Sequence, residues 1–313
     1  MVFEDKKRLQ LSELREYAAD PDYIRRCENA FRERVDRTAQ AVIDSGVPLV
    51  MLTGPSASGK TTSARKLAQA MTEKGKKTSV VSLDNFYRNR DEYPRLRNGE
   101  PDFEHLHALN VELVNDCLEE LVSTGVTWIP AFDFNTHSSV LRQQEVRVDE
   151  DTAVIIEGIH ALNPELSRKV DHGSVMKIYA GLRTEYYEGR KRVIATRDLR
   201  ITRRIIRDDR DRGHAPEATL ALWKNIMAGE EKWIKPFKPD ADMLLNTALD
   251  YEPCVFAQTL RRMADEGLGG KYQEDMESLA QRFGQTSVLD DALVPEDSLL
   301  REFLGGLKLM DTL

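Results

Sequence analysis

A glycine-rich segment between an apolar run and an amphipathic pattern constrains this chain more than any other feature. The segment reads Gly54-Pro55-Ser56-Ala57-Ser58-Gly59-Lys60-Thr61, and the apolar run 48–52 precedes it. Apolar residues then recur at positions 64, 67, 68 and 71, which is the spacing of one helix face. A buried strand, a glycine-rich turn and a helix form the setting that a phosphate-binding loop of G-x-x-x-x-G-K-[ST] form requires. The sequence therefore predicts a nucleoside triphosphate site.

Each residue type in this segment has a physical reason to be there. Glycines let the backbone wrap an anion, so that N–H groups and the helix N-terminus point at the phosphates. The Lys60 ammonium can reach the terminal phosphates, and the Thr61 hydroxyl can hold Mg²⁺. A chance glycine turn before a helix is the weaker alternative, because the whole pattern occurs in its proper setting. ATP and Mg²⁺ are the expected cofactors; a GTPase switch is disfavoured, since the sequence has no N-K-x-D-type motif.

Composition narrows the class of protein. Hydrophobic residues make up 41% and charged residues 31% of 313 residues, as in ordinary globular proteins. The net charge of −8 disfavours a general binder of nucleic acid or anionic membranes. The N-terminus has no apolar signal region, and three widely spaced cysteines indicate reduced thiols of a cytoplasmic protein. We expect a small-molecule substrate, no nucleic-acid or membrane partner, and leave a homo-oligomer open.

Basic charge is concentrated in one segment of this acidic chain. The segment 183–214 has eleven Lys or Arg and six Asp or Glu, a local charge of +5. If it is helical, Arg204 and Arg207 share a face while Ile201 and Ile205 pack on another. This pattern is typical of a movable lid, here about residues 198–228, that closes over a triphosphate. A solvated, salt-bridged helix face is the alternative.

Apolar runs and helical patterns alternate along the chain. Strands are expected at 48–52, 78–83, 153–156, 175–179 and 243–245, with 128–134 and 146–148 as a small antiparallel element. Helices are expected at 20–46, after the glycine-rich segment, from 110, near 199–210 and 215–228, and beyond 253. This order predicts an α/β P-loop NTPase with a parallel sheet sandwiched by helices, a lid and helical terminal extensions. The predicted division is a helical N-terminal extension (1–47), a P-loop core (48–252) and a helical C-terminal extension packed on the core (253–313).

Acidic residues follow several of these strands. Ligands of open parallel sheets lie beyond the carboxyl ends of the strands, where Asp84, Asp133 and Glu157 are expected. Phosphoryl transfer to a hydroxyl needs a carboxylate to accept the proton, a metal ion and cations for the developing charge. Asp84 suits the first role and Glu157 the second. For any one of these acids alone, a helix cap or turn is the alternative.

An ordered set of segments resembles the uridine kinase family of P-loop nucleoside kinases, within the phosphoribulokinase/uridine kinase superfamily. The matching segments are 54–61, 82–87, 102–105, 129–137, 156–159 and 203–213. A closer resemblance is to the uridine kinase-like branch that is usually fused to a TGS domain. It depends on 157–164, 229–232, 236–237 and 298–306. No TGS domain is expected here, because only about 47 residues precede the first strand.

The resemblance implies transfer of the γ-phosphate of ATP to the 5′-hydroxyl of a nucleoside such as uridine or cytidine. It implies catalytic roles for Asp84 as the base, Lys60 and Arg204, and a magnesium site at Thr61, Glu157 and, through water, Asp84. The implied triphosphate-binding residues are Gly54, Pro55, Ser56, Ala57, Ser58, Gly59, Lys60, Thr61, Thr62, Arg207 and Arg212. The implied acceptor-binding residues are Tyr87, Glu104, Phe132, His137 and Arg204.

Several departures from the family pattern leave the acceptor open. Phe132 stands where typical uridine kinases have a tyrosine that bonds the base, and Glu104 replaces an aspartate. Ser139 and His214 each replace an arginine. The alternatives are a kinase of a polyol, sugar phosphate or pantothenate-like acceptor, or an inactive nucleotide-binding regulator. The retained Asp84 disfavours the regulator, because a pure binder needs no base.

Overall fold

The computed structural model describes residues 6–133, 136, 138–149 and 151–309. Within these residues the strands are β1 (Lys7–Gln10), β2 (Leu49–Thr53), β3 (Lys77–Ser82), β4 (Val126–Asp133), β5 (Ser138–Arg147), β6 (Thr152–Glu157), β7 (Val175–Gly181), β8 (Thr184–Glu188), β9 (Lys191–Ile194) and β10 (Met243–Asn246). The α-helices are α1 (Leu11–Tyr17), α2 (Pro21–Ser45), α3 (Lys60–Glu73), α4 (Val111–Thr124), α5 (Thr196–Arg212), α6 (Pro216–Trp233), α7 (Glu252–Asp265), α8 (Gln273–Phe283) and α9 (Arg301–Leu304).

A five-stranded parallel sheet in the order β10-β7-β2-β6-β3 forms the centre of the molecule. Every residue of β2 and β6 is buried, as expected for strands covered on both faces. Val50 and Leu52 pack into a core with α2, α3 and α7, whereas Leu49 and Met51 pack into a second core with α4. The predicted fold class, an α/β P-loop NTPase with a parallel sheet between helices, is confirmed.

The ends of α2 follow the local signals of the sequence. Asp20 precedes the helix and its side chain accepts a hydrogen bond from the Asp22 backbone N–H at 2.9 Å, while Pro21 occupies the first helical position. Gly46 ends the helix with a φ of 67°, a left-handed conformation that favours glycine. The helix predicted at 20–46 is therefore found at Pro21–Ser45.

Two smaller sheets lie beside the central one. The predicted antiparallel element is β4 paired with β5, and β5 is longer than the predicted 146–148. The second sheet, β1-β8-β9, was not predicted. The N-terminal extension that was predicted as helical contains α1 and α2, and it also contributes the short strand β1, which pairs with β8. No helix in the described part of the chain is both long and apolar enough to cross a lipid bilayer.

Candidate active site

The glycine-rich segment joins the central strand β2 to α3, as predicted. Gly59 precedes α3 with a φ of 82°, a conformation that few L-residues adopt. Gly54 is needed for a different reason, because a Cβ there would lie 2.3 Å from the carbonyl oxygen of Ala180 on the neighbouring strand β7. The loop thus lies at the carboxyl edge of the sheet, where ligands of such sheets bind.

Arginines of α5 hold the outer side of this loop. Arg200 donates from Nε to the carbonyl oxygen of Ser56 at 3.0 Å, and Arg203 donates from Nη1 to that of Ala57 at 3.5 Å. Arg204 donates to the Ser56 hydroxyl. These bonds give two loop carbonyls partners within the protein, which suits a loop that presents its N–H groups to an anion. Sequence reasoning missed Arg200 and Arg203 in this role.

Glu157, the acidic residue at the end of β6, contacts the end of the phosphate loop. Glu157 is 3% exposed; its Oε2 accepts from the Thr61 hydroxyl at 3.3 Å and its Oε1 from the Ser82 hydroxyl at 2.9 Å. Burial raises the pKa of Glu157 above its ordinary value, the Lys60 charge opposes this rise, and Asp84 adds to it. The register of the sheet brings Glu157 close to the loop and to Ser82, because Leu52 of β2 and Ser82 of β3 both pair with Glu157.

These groups fit a hard divalent cation. In kinases Mg²⁺ is commonly held by one or two protein oxygen ligands together with phosphates and water. The Thr61 hydroxyl and the Glu157 carboxylate are suitable oxygens 3.3 Å apart, and Asp84 is close enough to influence the pKa of Glu157. Across the described residues, no group of three or more His, Cys, Asp and Glu is arranged to hold a metal by itself. The two oxygens of Thr61 and Glu157 suit an ion that binds together with a triphosphate.

A further carboxylate, Glu104, lies near Lys60 and Arg204. Burial raises the pKa of Glu104 to about 7, and the charges of Arg204 and Lys60 oppose this rise. Glu104 packs closely against α6: a Cβ on Gly229 would lie 2.5 Å from the Glu104 Cβ. The three charged groups predicted for the acceptor and the transferred phosphate thus influence one another electrostatically.

Aromatic rings form a wall next to these carboxylates. The ring centroids of Tyr87 and Phe132 are 5.6 Å apart, and those of Tyr87 and Tyr93 are 6.0 Å apart. Burial, followed by the charges of Asp84 and Glu104, raises the pKa of Tyr87 well above its ordinary value. Tyr93 was not predicted as a site residue. His137, which was, lies outside the described residues.

A buried aspartate forms ion pairs with the arginines that were predicted for the lid. Asp208 is 1% exposed and pairs with Arg204 at 3.1 Å, Arg207 at 3.0 Å and Arg212 at 3.5 Å. Sequence reasoning missed Asp208, although its spacing of four residues from Arg204 and from Arg212 is the signal that could have found it. Ile201 and Ile205 are buried, as the pattern predicted.

Comparison with known proteins shows the family of this chain. The model of the phosphoribulokinase/uridine kinase family matches residues 49–250, which include the loop, the acidic strand ends and the arginines of α5. The chain belongs to this family. Uridine kinases of Clostridium botulinum and Deinococcus deserti are similar to it. The first is 26% identical over 199 residues, 63% of this chain and 86% of that protein. The second is 27% identical over 208 residues, 66% of this chain and 91% of that protein.

A solved structure supports the fold. A candidate fructose transport system kinase from Silicibacter sp. TM1040 has a TM-score of 0.51 and 22% identity, covering 67% of this chain and 98% of that chain. As a member of the phosphoribulokinase/uridine kinase family, the protein is a P-loop kinase, a phosphotransferase that acts on a hydroxyl acceptor.

Proposed function

We propose that the protein transfers the γ-phosphate of ATP to the 5′-hydroxyl of a nucleoside of the uridine or cytidine type. The observation that carries this proposal is that Asp84, Glu104, Lys60 and the neighbouring rings of Tyr87 and Phe132 lie close together. A flat base fits against aromatic rings, and carboxylates accept hydrogen bonds from hydroxyls. The similarity to uridine kinases supports the same assignment.

The donor half of the proposal assigns the triphosphate to residues 54–62, Arg207 and Arg212. The loop N–H groups and the start of α3 suit an anion, and Lys60 adds a cation to the site. Thr61 and Glu157 would hold Mg²⁺, with Asp84 acting through water. When bound, this ion would bridge phosphate oxygens and neutralise part of their charge.

The acceptor half gives each side chain a separate task. Asp84 would accept the proton of the attacking hydroxyl, and Glu104 would bind the other hydroxyls of the sugar. Phe132 and His137 would contact the base. Arg204, which is close to Glu104, would reach toward the transferred phosphate. Anionic acceptors are disfavoured in this proposal, because it places the carboxyl groups of Asp84 and Glu104 beside the acceptor.

We also propose an intracellular location and a three-part chain. Cys27, Cys117 and Cys254 are buried free thiols, which suits the reducing cytoplasm. The proposed parts are the extensions 1–47 and 253–313 and a kinase core at 48–252, with a lid at about 198–228.

A substrate screen tests the proposed reaction. Purified protein is mixed with ATP, Mg²⁺ and one candidate acceptor, and ADP release is followed across nucleosides, polyols, sugars and pantothenate. We expect uridine or cytidine to stimulate ADP release, with ³¹P NMR showing a 5′-monophosphate. Stimulation by a polyol or an anionic acceptor alone would refute the nucleoside assignment and keep the kinase assignment.

A gain-of-function variant tests the pocket. Phe132→Tyr restores the hydroxyl of typical uridine kinases, so we expect it to improve discrimination of pyrimidines from purines by about 10-fold or more. Tyr93→Phe, which removes a hydroxyl from the same aromatic wall, is the matched control and should leave that ratio nearly unchanged. An unchanged ratio in Phe132→Tyr would argue against a base at this wall.

A further inference from the structure

The C-terminal segment, residues 298–305, lies directly on the phosphate loop although it is outside the part of the chain that the family model matches. A Cβ on Gly59 would lie 2.9 Å from the Leu299 Cδ1 atom. The guanidinium group of Arg210 donates to the carbonyl oxygen of Phe303, and to that of Glu302 at 3.3 Å. The segment is therefore held against both the loop and α5.

Glu302 is the residue of this segment that reaches the proposed donor site. Its Oε2 accepts a hydrogen bond from the Thr62 hydroxyl at 2.6 Å. Its Oε1 lies 3.9 Å from the Nη1 atom of Arg207. Thr62 is 2% exposed and lies in the first turn of α3, next to the phosphate loop. The carboxylate thus engages one hydroxyl and one cation that we assign to the triphosphate.

The Thr62 hydroxyl and the Arg207 guanidinium cannot bind both Glu302 and a phosphate at full strength. A threonine hydroxyl has one hydrogen to donate, so Thr62 bonds either the carboxylate or a phosphate oxygen. The charge of Glu302 also repels a triphosphate that approaches Arg207. The charge of Glu302 also adds to the raised pKa of Glu157, so Glu302 lies near the proposed magnesium side of the loop as well.

We propose that Glu302 competes with the phosphates of the donor nucleotide for Thr62 and Arg207, and that the C-terminal segment is an intramolecular gate on the donor site. The inference rests on the proposed donor site. Nucleotide binding then requires Glu302 to leave Thr62, and the apparent affinity for nucleotide is the intrinsic affinity multiplied by the fraction of molecules in which the contact is open.

Nucleotide affinity of the full chain tests the gate. Glu302→Gln removes the charge, and Glu302→Ala also removes the hydrogen bond. We expect the Kd of a non-hydrolysable ATP analogue, measured by titration calorimetry, to fall about 3-fold in Glu302→Gln and about 10-fold in Glu302→Ala. Glu296→Gln is the matched control, because Glu296 is an exposed partner of Lys308 near the same segment. Its Kd should equal that of the wild type.

Two further measurements distinguish a failure of the gate from a failure of the proposed donor site. Inorganic tripolyphosphate should gain affinity in Glu302→Ala as the ATP analogue does, because the competition is for phosphate oxygens. Hydrogen exchange of the amides of 301–305 should accelerate when the wild type binds the analogue. An unchanged or weaker affinity in Glu302→Ala, or slower exchange, would overturn the gate while the donor site stands. A wild type that binds neither the analogue nor tripolyphosphate would overturn the donor site and the gate together.

Discussion

At the scale of residues, three carboxylates of the site differ in their surroundings. Glu157 is buried between the hydroxyls of Thr61 and Ser82, where it can bind a cation together with Thr61. Glu104 has a pKa of about 7 because burial outweighs the cations near it. Asp84 follows β3 in a short turn, and the Asp84 backbone N–H donates to Ser82 Oγ at 3.3 Å. Neighbouring acids in different environments can take different tasks in one reaction.

The proposed base gives the first prediction. Asp84→Asn keeps the shape of the side chain but cannot accept a proton, so kcat should fall by roughly 10²–10⁴ while the Kd of ATP changes little. Steady-state kinetics and titration of an ATP analogue provide the two numbers. A comparable loss in nucleotide affinity would instead assign Asp84 mainly to Mg²⁺.

The raised pKa of Glu104 gives a prediction about pH. Its pKa is about 7 in the folded protein and 4.5 ordinarily, so the folded state holds the proton more tightly than the unfolded chain. The free energy of unfolding should therefore fall as pH rises from about 4.5 to 7. Glu104→Gln removes this penalty and should be more stable than the wild type at pH 8 by on the order of 1–3 kcal/mol, but not at pH 4.

Urea unfolding at pH 4 and pH 8 measures this difference. Glu100→Gln, in an exposed position of the same loop, is the control and should follow the wild type at both pH values. If Glu104→Gln and the wild type change in parallel between the two pH values, the carboxyl group titrates normally.

At the scale of elements, sequence patterns predicted what is local and missed what is distant. The central strands are apolar runs, and the ends of α2 have their own capping residues, so both could be predicted. Strands β8 and β9 have many polar and charged residues, and β8 pairs with β1, which is more than 170 residues away along the chain. Such pairing leaves no periodic apolar signal. For the same reason the contact of Glu302 with Thr62 could not be predicted, since it joins residues far apart in the chain.

The arginines of helix α5 differ in their contacts. Arg200 and Arg203 are buried and donate to carbonyl oxygens of the loop, and Arg207 and Arg212 pair with Asp208. Arg204 does both, because it donates to the Ser56 hydroxyl and pairs with Asp208. A lid that moves would therefore involve the end of the helix more than its middle. The mobility expected from the sequence remains a prediction.

The shared carboxylate of α5 gives a prediction at this scale. Asp208→Asn removes the charge that orients three guanidinium groups, so kcat/KM for ATP should fall by about 10- to 100-fold. Asp209→Asn, at the adjacent and partly exposed position, should lose less than about 2-fold. Steady-state kinetics with ATP varied, together with a thermal unfolding curve for each variant, checks this. Equal losses in the two variants would show that Asp208 does not orient the arginines.

At the scale of the whole molecule, one ion pair joins the phosphate loop to the helices that follow the sheet. Arg203 and Glu252 are completely buried and pair at 2.7 Å. Arg203 also donates to the carbonyl oxygens of Ala57 in the loop and Thr247 after β10. The pair thus connects the loop, α5, the end of β10 and the start of α7. Its loss should affect the stability of the core and the shape of the loop together.

This connection gives the last prediction. Glu252→Gln leaves the Arg203 cation buried without its counter-charge, and breaking a buried pair in this way costs about 3–5 kcal/mol of unfolding free energy. Glu266→Gln is the matched control, because Glu266 pairs with Arg262 at 2.9 Å with both side chains about half exposed. An exposed pair of this kind contributes less than about 1 kcal/mol. Urea unfolding at pH 7 compares the two variants, and titration of an ATP analogue should show weaker binding only in Glu252→Gln. Equal stability of the two variants would mean that the carbonyls of Ala57 and Thr247 hold Arg203 without help from Glu252.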